Sequence, residues 1–407
     1  MKLRYTIQLF GLFAASGSTV LASDWPQFRG PERTGVSSET GWTHEWPKSG
    51  PKVLWSADLG ESYASPIVVK DRAYIVGSNT KQDTVYCVNV DSGKEIWKRA
   101  FAHGKRTYVP DTYSNALIST PLVNGNRLYV LAREGDLQCL DATSGEAIWK
   151  TNLIKATGAT TQYFGNSSSP LLEGDLLIFN VGTGGAALHK ETGKVVWKSA
   201  GMGGYASPLA YTRNGKREVA LFGTTSVVGI DPTTGKKLWT TPWNVSGYTA
   251  PSADPLFTGD GLVIYSATIG AKLVKLGSAS PVVAWQNKNL CNDFVNSVLV
   301  NKYIYGNNSS RLVCLDAATG KLMWSEKGIG LGSLIAADGK LIIQTERGEL
   351  VVAGANPTKY TELARVALTD GKAPMKNAGY VTPVLANGRL YCRVAAGKLV
   401  CLDVKKN

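Results

Sequence analysis

The chain has 407 residues, a formal net charge of +13, 18% charged and 9% aromatic residues, and 44 glycines. That balance excludes an intrinsically disordered chain, and the glycines follow no collagen period. The lysines mostly stand singly, with no basic run of five or more, and no nucleic-acid-binding motif accompanies them, so nucleic acid is not expected as a partner.

In chain order, the first expected element is MKLRYTIQLFGLFAASGSTVLAS. A basic start at Lys2 and Arg4 leads into an apolar stretch that ends on Val20-Leu21-Ala22. This pattern predicts a secretory signal peptide over 1–22, cleaved after Ala22, and hence a periplasmic or secreted protein. No later segment reaches membrane-spanning length. No cysteine lies near the cleavage point, so lipid attachment is not expected. A proline-containing leader follows over 23–51, with Trp25 and Phe28 as expected anchors.

From 52 to 407 the chain repeats itself. Seven of the eleven tryptophans, Trp55, Trp97, Trp149, Trp197, Trp239, Trp285 and Trp324, fall in one register at gaps of 39 to 52 residues. That spacing is in the range of a four-stranded propeller blade. Leu363 holds the next slot. Four residues before the tryptophan stands Gly93, Gly145, Gly193, Gly235 or Gly320, with Pro281 as the exception. Such a glycine predicts a tight turn with positive φ. Eight residues before it stands Asp141, Asp231 or Asp316, with Asn89 and His189 as variants, positioned to bond the turn's backbone amides. Stretches such as SPIVVKDRAYIVG and TPLVNGNRLYVLA supply two further strands per unit.

The expected architecture is therefore an all-β, eight-bladed propeller with four-stranded antiparallel blades. Each blade runs from an inner strand to a tryptophan-bearing outer strand. The last unit, LVCLDVKKN, ends before any tryptophan, whereas KVLWSADL at the start has no strand before it. Pairing of the N-terminal outer strand with the C-terminal blade is expected to close the ring.

The repeat LxCLDxxTGxxxW resembles that of the pyrroloquinoline-quinone-type eight-bladed propellers. The leader DWPQFRGPERTGVS resembles that of exported bacterial quinoprotein-like propellers. The resemblance implies two branches. One is a quinone-dependent alcohol dehydrogenase with calcium, an aspartate base and adjacent cysteines. The other is the propeller lipoprotein of the outer-membrane barrel-assembly machinery, which binds partner proteins. This chain has no Cys-Cys and no anchor cysteine, and no acid can be matched to the base or to a calcium ligand.

Candidate chemistry lies in the loops that lead into the inner strands. GESYASP, GGYASP and AGYVTP place Tyr63, Tyr205 and Tyr380 in one slot. Longer loops of the same kind carry Tyr108, Tyr113, Tyr163, Tyr248 and Phe294, with Gln162, Asn166 and Trp243 beside them. Aromatics with amides at a channel mouth suit a peptide, a sugar or a quinone; the alternative is that the tyrosines pack neighbouring strands together. The leading expectation is a monomeric, non-catalytic exported scaffold with no cofactor. It would bind a protein partner or a cell-envelope glycan through one face. The alternatives are an alcohol or sugar oxidoreductase using pyrroloquinoline quinone with calcium, and a carbohydrate-binding module. No Cys/His spacing points to zinc, and His189 reads as a turn residue. Cys87, Cys139, Cys314 and Cys401 share one strand slot. A two-residue turn at Ala396-Gly397 would set Cys392 opposite Cys401, with a disulfide as the possible result.

Overall fold

The computed structural model describes residues 23–79, 81–102, 119–244, 252–277, 280–291, 294–368, 380–394 and 397–406. The expected signal peptide and the loop tyrosines Tyr108, Tyr113 and Tyr248 lie outside the described residues. The strands form eight blades, each a four-stranded antiparallel sheet in inner-to-outer order. Blades 1 to 7 span 67–102, 122–152, 171–198, 209–242, 256–287, 298–326 and 333–367. Blade 8 takes Val384–Ala386, Arg389–Val394 and Lys398–Asp403 from the C-terminus and Val53–Asp58 from the N-terminus. Trp55 lies opposite Cys401, and the Asp403 amide donates to the Lys52 carbonyl at 2.8 Å. The ring closes as the two chain ends require, because neither end alone completes a blade.

Buried apolar side chains gather between blades. Tyr74, Cys87 and Trp97 of blade 1, for example, pack with Leu128, Val130 and Leu140 of blade 2. The tryptophan register specifies this seam. An irregularity in the outer strand just ahead of the tryptophan, as between Ala147 and Trp149, tips the indole toward the next blade. There its N–H donates to a turn carbonyl, Trp97 to Ala142 at 3.2 Å and Trp149 to Lys190 at 3.0 Å. The turn glycine of the receiving blade lies under the ring. A Cβ built on Gly145 would stand 2.6 Å from Trp97, and one on Gly235 would stand 2.6 Å from Trp197. Positive φ and this close approach both demand glycine. Asp141 holds its turn by accepting from the amides of Thr143 and Ser144 at 2.8 and 2.9 Å. His189 does the same for Glu191 through Nδ1, at 3.2 Å.

One expectation fails. The hairpin joining the second and third strands of blade 8 pairs Val394 with Lys398, so three residues separate the strands rather than two. The register moves by one. Cys392 faces Val400 and Cys401 faces Tyr391, which turns the two side chains to opposite faces of the sheet. No disulfide forms between them; all six cysteines are free and buried.

The leader is more than an anchor. Trp25 is buried and bridges Val68 of blade 1, and the Val123 amide of blade 2 donates to the Pro26 carbonyl. Arg33 reaches the Pro170 carbonyl ahead of blade 3, whereas Arg29 reaches that of Ser297 ahead of blade 6, each at 2.8 Å. Val36–Ser37 then adds a parallel strand to blade 7, and buried Glu39 accepts from the Asn387 and Gly388 amides of blade 8. This path carries the leader across one end of the central channel.

Candidate functional site

Each inner strand is preceded, two residues before it starts, by one position of a belt around the channel. The occupants are Ser65, Thr120, Ser169, Ser207, Asp254 and Asn296 in blades 1 to 6. The backbone N–H of each donates to the side-chain oxygen of the next. The bonds run Ser65 to Thr120 (3.0 Å), Thr120 to Ser169 (3.0 Å), Ser169 to Ser207 (3.1 Å), Ser207 to Asp254 (2.7 Å) and Asp254 to Asn296 (2.7 Å). Leu331 holds this position in blade 7 and carries no oxygen to continue the belt. Thr382 of blade 8 rejoins it, its carbonyl accepting from the Ser65 hydroxyl at 3.0 Å.

Above the belt, on the side of the loops joining blade to blade, lies a cavity of about 330 Å3. Its walls are aromatic, from Tyr63, Phe164, Tyr205, Phe294 and Tyr380, and Phe28 of the leader also lines it. Ser65, Ser169, Ser207, Asn296 and Thr382 bring the belt to the cavity surface, and Arg133 is the charged side chain among the lining residues.

Of the aromatics expected from sequence, Tyr63, Tyr205, Tyr380 and Phe294 thus meet around one cup. Tyr205 is 7% exposed and both packs and lines: its ring lies 6.0 Å from that of Phe164, whose amide donates to the Tyr205 hydroxyl at 3.0 Å. Phe294 is 52% exposed and sits 5.5 Å from the Tyr380 ring at the rim. Burial pushes the phenols of Tyr205 and Tyr380 upward, which keeps both protonated as donors. Tyr163 does not line the cup; it is 41% exposed and turns its ring edge to Phe164. Gln162 and Asn166 hold the loops, donating to the carbonyls of Gly203 and Arg133. Trp243 is buried beneath the Lys272 ammonium, 5.0 Å from its ring centroid.

Beyond the belt, Phe164, Arg133, Ser167 and Ser252 are lining residues that sequence reasoning missed, and Phe28, expected only as an anchor, lines the cup as well. Phe164 sits beside Tyr163 with nothing in the sequence to rank the two. Arg133 follows an inner-blade strand without a motif, and its placement depends on the Phe164 carbonyl, which accepts from its Nε at 3.0 Å. The recurring Ser/Thr-Pro dipeptides were the readable trace of the belt.

Within the belt, Asp254 is buried near Arg29 and Arg33 of the leader, which are buried as well. Burial pushes its carboxyl up while the two guanidiniums pull it back. Burial also lowers Arg33, to about 10, which leaves it charged at neutral pH.

The donor set does not fit a calcium–quinone pair. Calcium takes carboxylate oxygens, none of the described lining residues is acidic, and Asp254 is enclosed with the leader arginines. Among the described residues no cluster of three His, Cys, Asp or Glu side chains could hold a metal ion.

Several proteins resemble this chain in sequence, and others in fold. Tetrathionate hydrolase of Acidithiobacillus ferrooxidans is 26% identical over 334 residues, 75% of this chain. The chain spans 58% of that hydrolase's length and 40% of the length of an uncharacterized Rickettsia prowazekii protein that it also matches. Among solved structures, BamB from Moraxella catarrhalis superposes with a TM-score of 0.64 at 16% identity, over 87% of this chain and 99% of that one. The quinohemoprotein alcohol dehydrogenase of Comamonas testosteroni gives 0.67 at 14% identity, over 94% and 81%. At such identities these two structures report the fold alone. The family model described as outer membrane protein assembly factor BamB matches residues 46–206 and 223–407, and the chain belongs to that family.

Proposed function

We propose that this protein is a non-catalytic scaffold that binds a protein partner in outer membrane protein assembly, using the loop face around the cup. The observation that carries the reading is the cup itself, ringed by partly exposed aromatics and floored by the leader's Phe28. Aromatic side chains on a rigid ring supply contact area at low entropic cost, which suits a protein-binding surface. Family membership and the likeness to the Moraxella catarrhalis BamB support the same class of function. The protein acts outside the cytoplasm after its signal peptide is removed, and its mature N-terminus is Ser23. Edman sequencing of the purified exported protein checks that start.

A photo-crosslinking residue at Phe294 tests the binding face. It is expected to capture a component of outer membrane protein assembly, identified by mass spectrometry. The same residue at Val196, on the outer edge of blade 3, is expected to capture none. Equal capture at both positions would remove the loop face from the proposal. The oxidoreductase reading is tested by adding pyrroloquinoline quinone with calcium and following dye-linked oxidation of alcohols and sugars. Turnover there would replace the scaffold reading. A glycan array separates the carbohydrate-binding reading.

A further inference from the structure

The belt gives the cup a polarity. Ser169 and Ser207 each spend acceptor capacity on a backbone N–H from the preceding blade. A hydroxyl that accepts on its oxygen still has a proton to donate. Among the described residues, neither proton meets an acceptor. Asn296 likewise accepts on Oδ1 and leaves its amide nitrogen facing the same cavity. Tyr205 accepts from the Phe164 amide and keeps its phenolic proton. The directional run of bonds around the ring therefore leaves Ser169, Ser207, Asn296 and Tyr205 with donors for the cup, whereas the Ser65 and Ser167 hydroxyls are spent on the carbonyls of Thr382 and Tyr205. Among the described residues no lining residue is acidic, and Arg133 adds positive charge to the wall.

We infer that the cup recognises a carboxylate carried next to an aromatic or apolar group, with the acid on the belt donors and the apolar part against the aromatic wall. Charge-assisted bonds from several neutral donors and a nearby guanidinium discriminate an acid from its neutral amide. A cavity of about 330 Å3 admits one such group rather than a folded surface. The inference rests on the partner-binding reading of this face and names the chemistry that the partner presents there. A chain terminus and a free aromatic acid share that chemistry.

The test is calorimetric titration of the intact protein with N-acetyl-Ala-Phe, its C-terminal amide, and hydrocinnamate. The free acid is expected to bind at least about tenfold more tightly than the amide. Hydrocinnamate binding as well as the peptide acid would show that a free acid suffices; binding by the peptide acid alone would point to a chain terminus. Both support the inference. Asn296→Asp keeps the oxygen that receives the Asp254 amide while replacing a donor with negative charge, and should abolish the preference for acid. Circular dichroism of that variant reports whether the ring is intact. Equal binding of acid and amide by the unmodified protein, or no binding of either, would overturn the inference. The crosslinking result at Phe294 stands or falls separately.

Discussion

The seam after blade 3 and the seam after blade 4 do the same job with different parts. After blade 3, Trp197 reaches across to the Pro232 carbonyl at 3.0 Å and lies over Gly235 of the next turn. After blade 4 the receiving connection carries no Asp or turn Gly; it reads Gly277 to Pro281. Trp239 instead folds back over its own blade, where its N–H donates to the Tyr211 hydroxyl at 3.0 Å and to Glu218 at 3.1 Å. Gly229 makes room for this, since a Cβ there would stand 2.0 Å from the indole nitrogen. Arg213 completes the network, pairing with Glu218 at 2.6 Å and donating across the seam to the Gly277 carbonyl. The seam after blade 7 differs again. The tryptophan position there is held by Ala364, which faces Val352 as Trp97 faces Cys87, and not by Leu363 as the sequence spacing suggested; Leu363 is the exposed residue at the irregularity. Gly50 of the leader packs against Val366 where a hairpin turn would otherwise lie. The motif is dispensable wherever another set of contacts fills the gap between blades.

The contrast can be broken most severely at blade 4. Glu218→Ala leaves Arg213, Tyr211 and Trp239 without their shared acceptor, and is expected to cost about 3–4 kcal/mol in urea unfolding. At the ordinary seam, Gly235→Ala combines a left-handed residue with a clash against Trp197. A loss of about 3 kcal/mol is expected there, against about 1 kcal/mol for Gly125→Ala, where nothing lies within 4 Å. Trp197→Phe removes one ring and the bond to Pro232 and should cost about 2 kcal/mol by the same measurement. Restoring the missing indole with Ala364→Trp should change stability by less than about 0.5 kcal/mol, because no turn receives it. A gain comparable to the Trp197 loss would mean that the tryptophan acts without a receiving turn. The smallest effect sharpens the register of blade 8. Burial pushes the thiol of Cys139 up to about 12 and that of Cys392 higher still, so native protein should resist iodoacetamide at mildly alkaline pH. Six alkylations should appear after unfolding without reductant.

The ring was legible because one residue per blade, the tryptophan, marks a contact between neighbours in sequence order. Turn glycines and capping aspartates repeat at fixed offsets, so the hairpins could be read as well. Closure through Trp55 and Cys401 followed from two incomplete ends. What failed was a matter of one residue: nothing in RLYCRVAAGKLVC distinguishes a two-residue from a three-residue connection, yet the choice decides which face each cysteine takes. The site was half legible. Tyr63, Tyr205 and Tyr380 share a slot, and the slot proved to face the cup. Arg133 and Phe164 depend on loop geometry after blade 2, where a short helix, Leu153–Thr157, capped by Asn152 and Gly158, sets the chain's path. The belt was hidden because its bonds join residues from different blades, about 38 to 55 positions apart, and a lone Ser-Pro carries no sign of that partner.

The leader's route from blades 1, 2 and 3 to blades 6, 7 and 8 makes the axis of the ring a blind well instead of a tunnel. Whatever settles in it has one doorway for arrival and departure. Unloading would then call for a rival at the rim or slackening of the walls, and Arg29 and Arg33 fasten the leader to blades 6 and 3 across the axis.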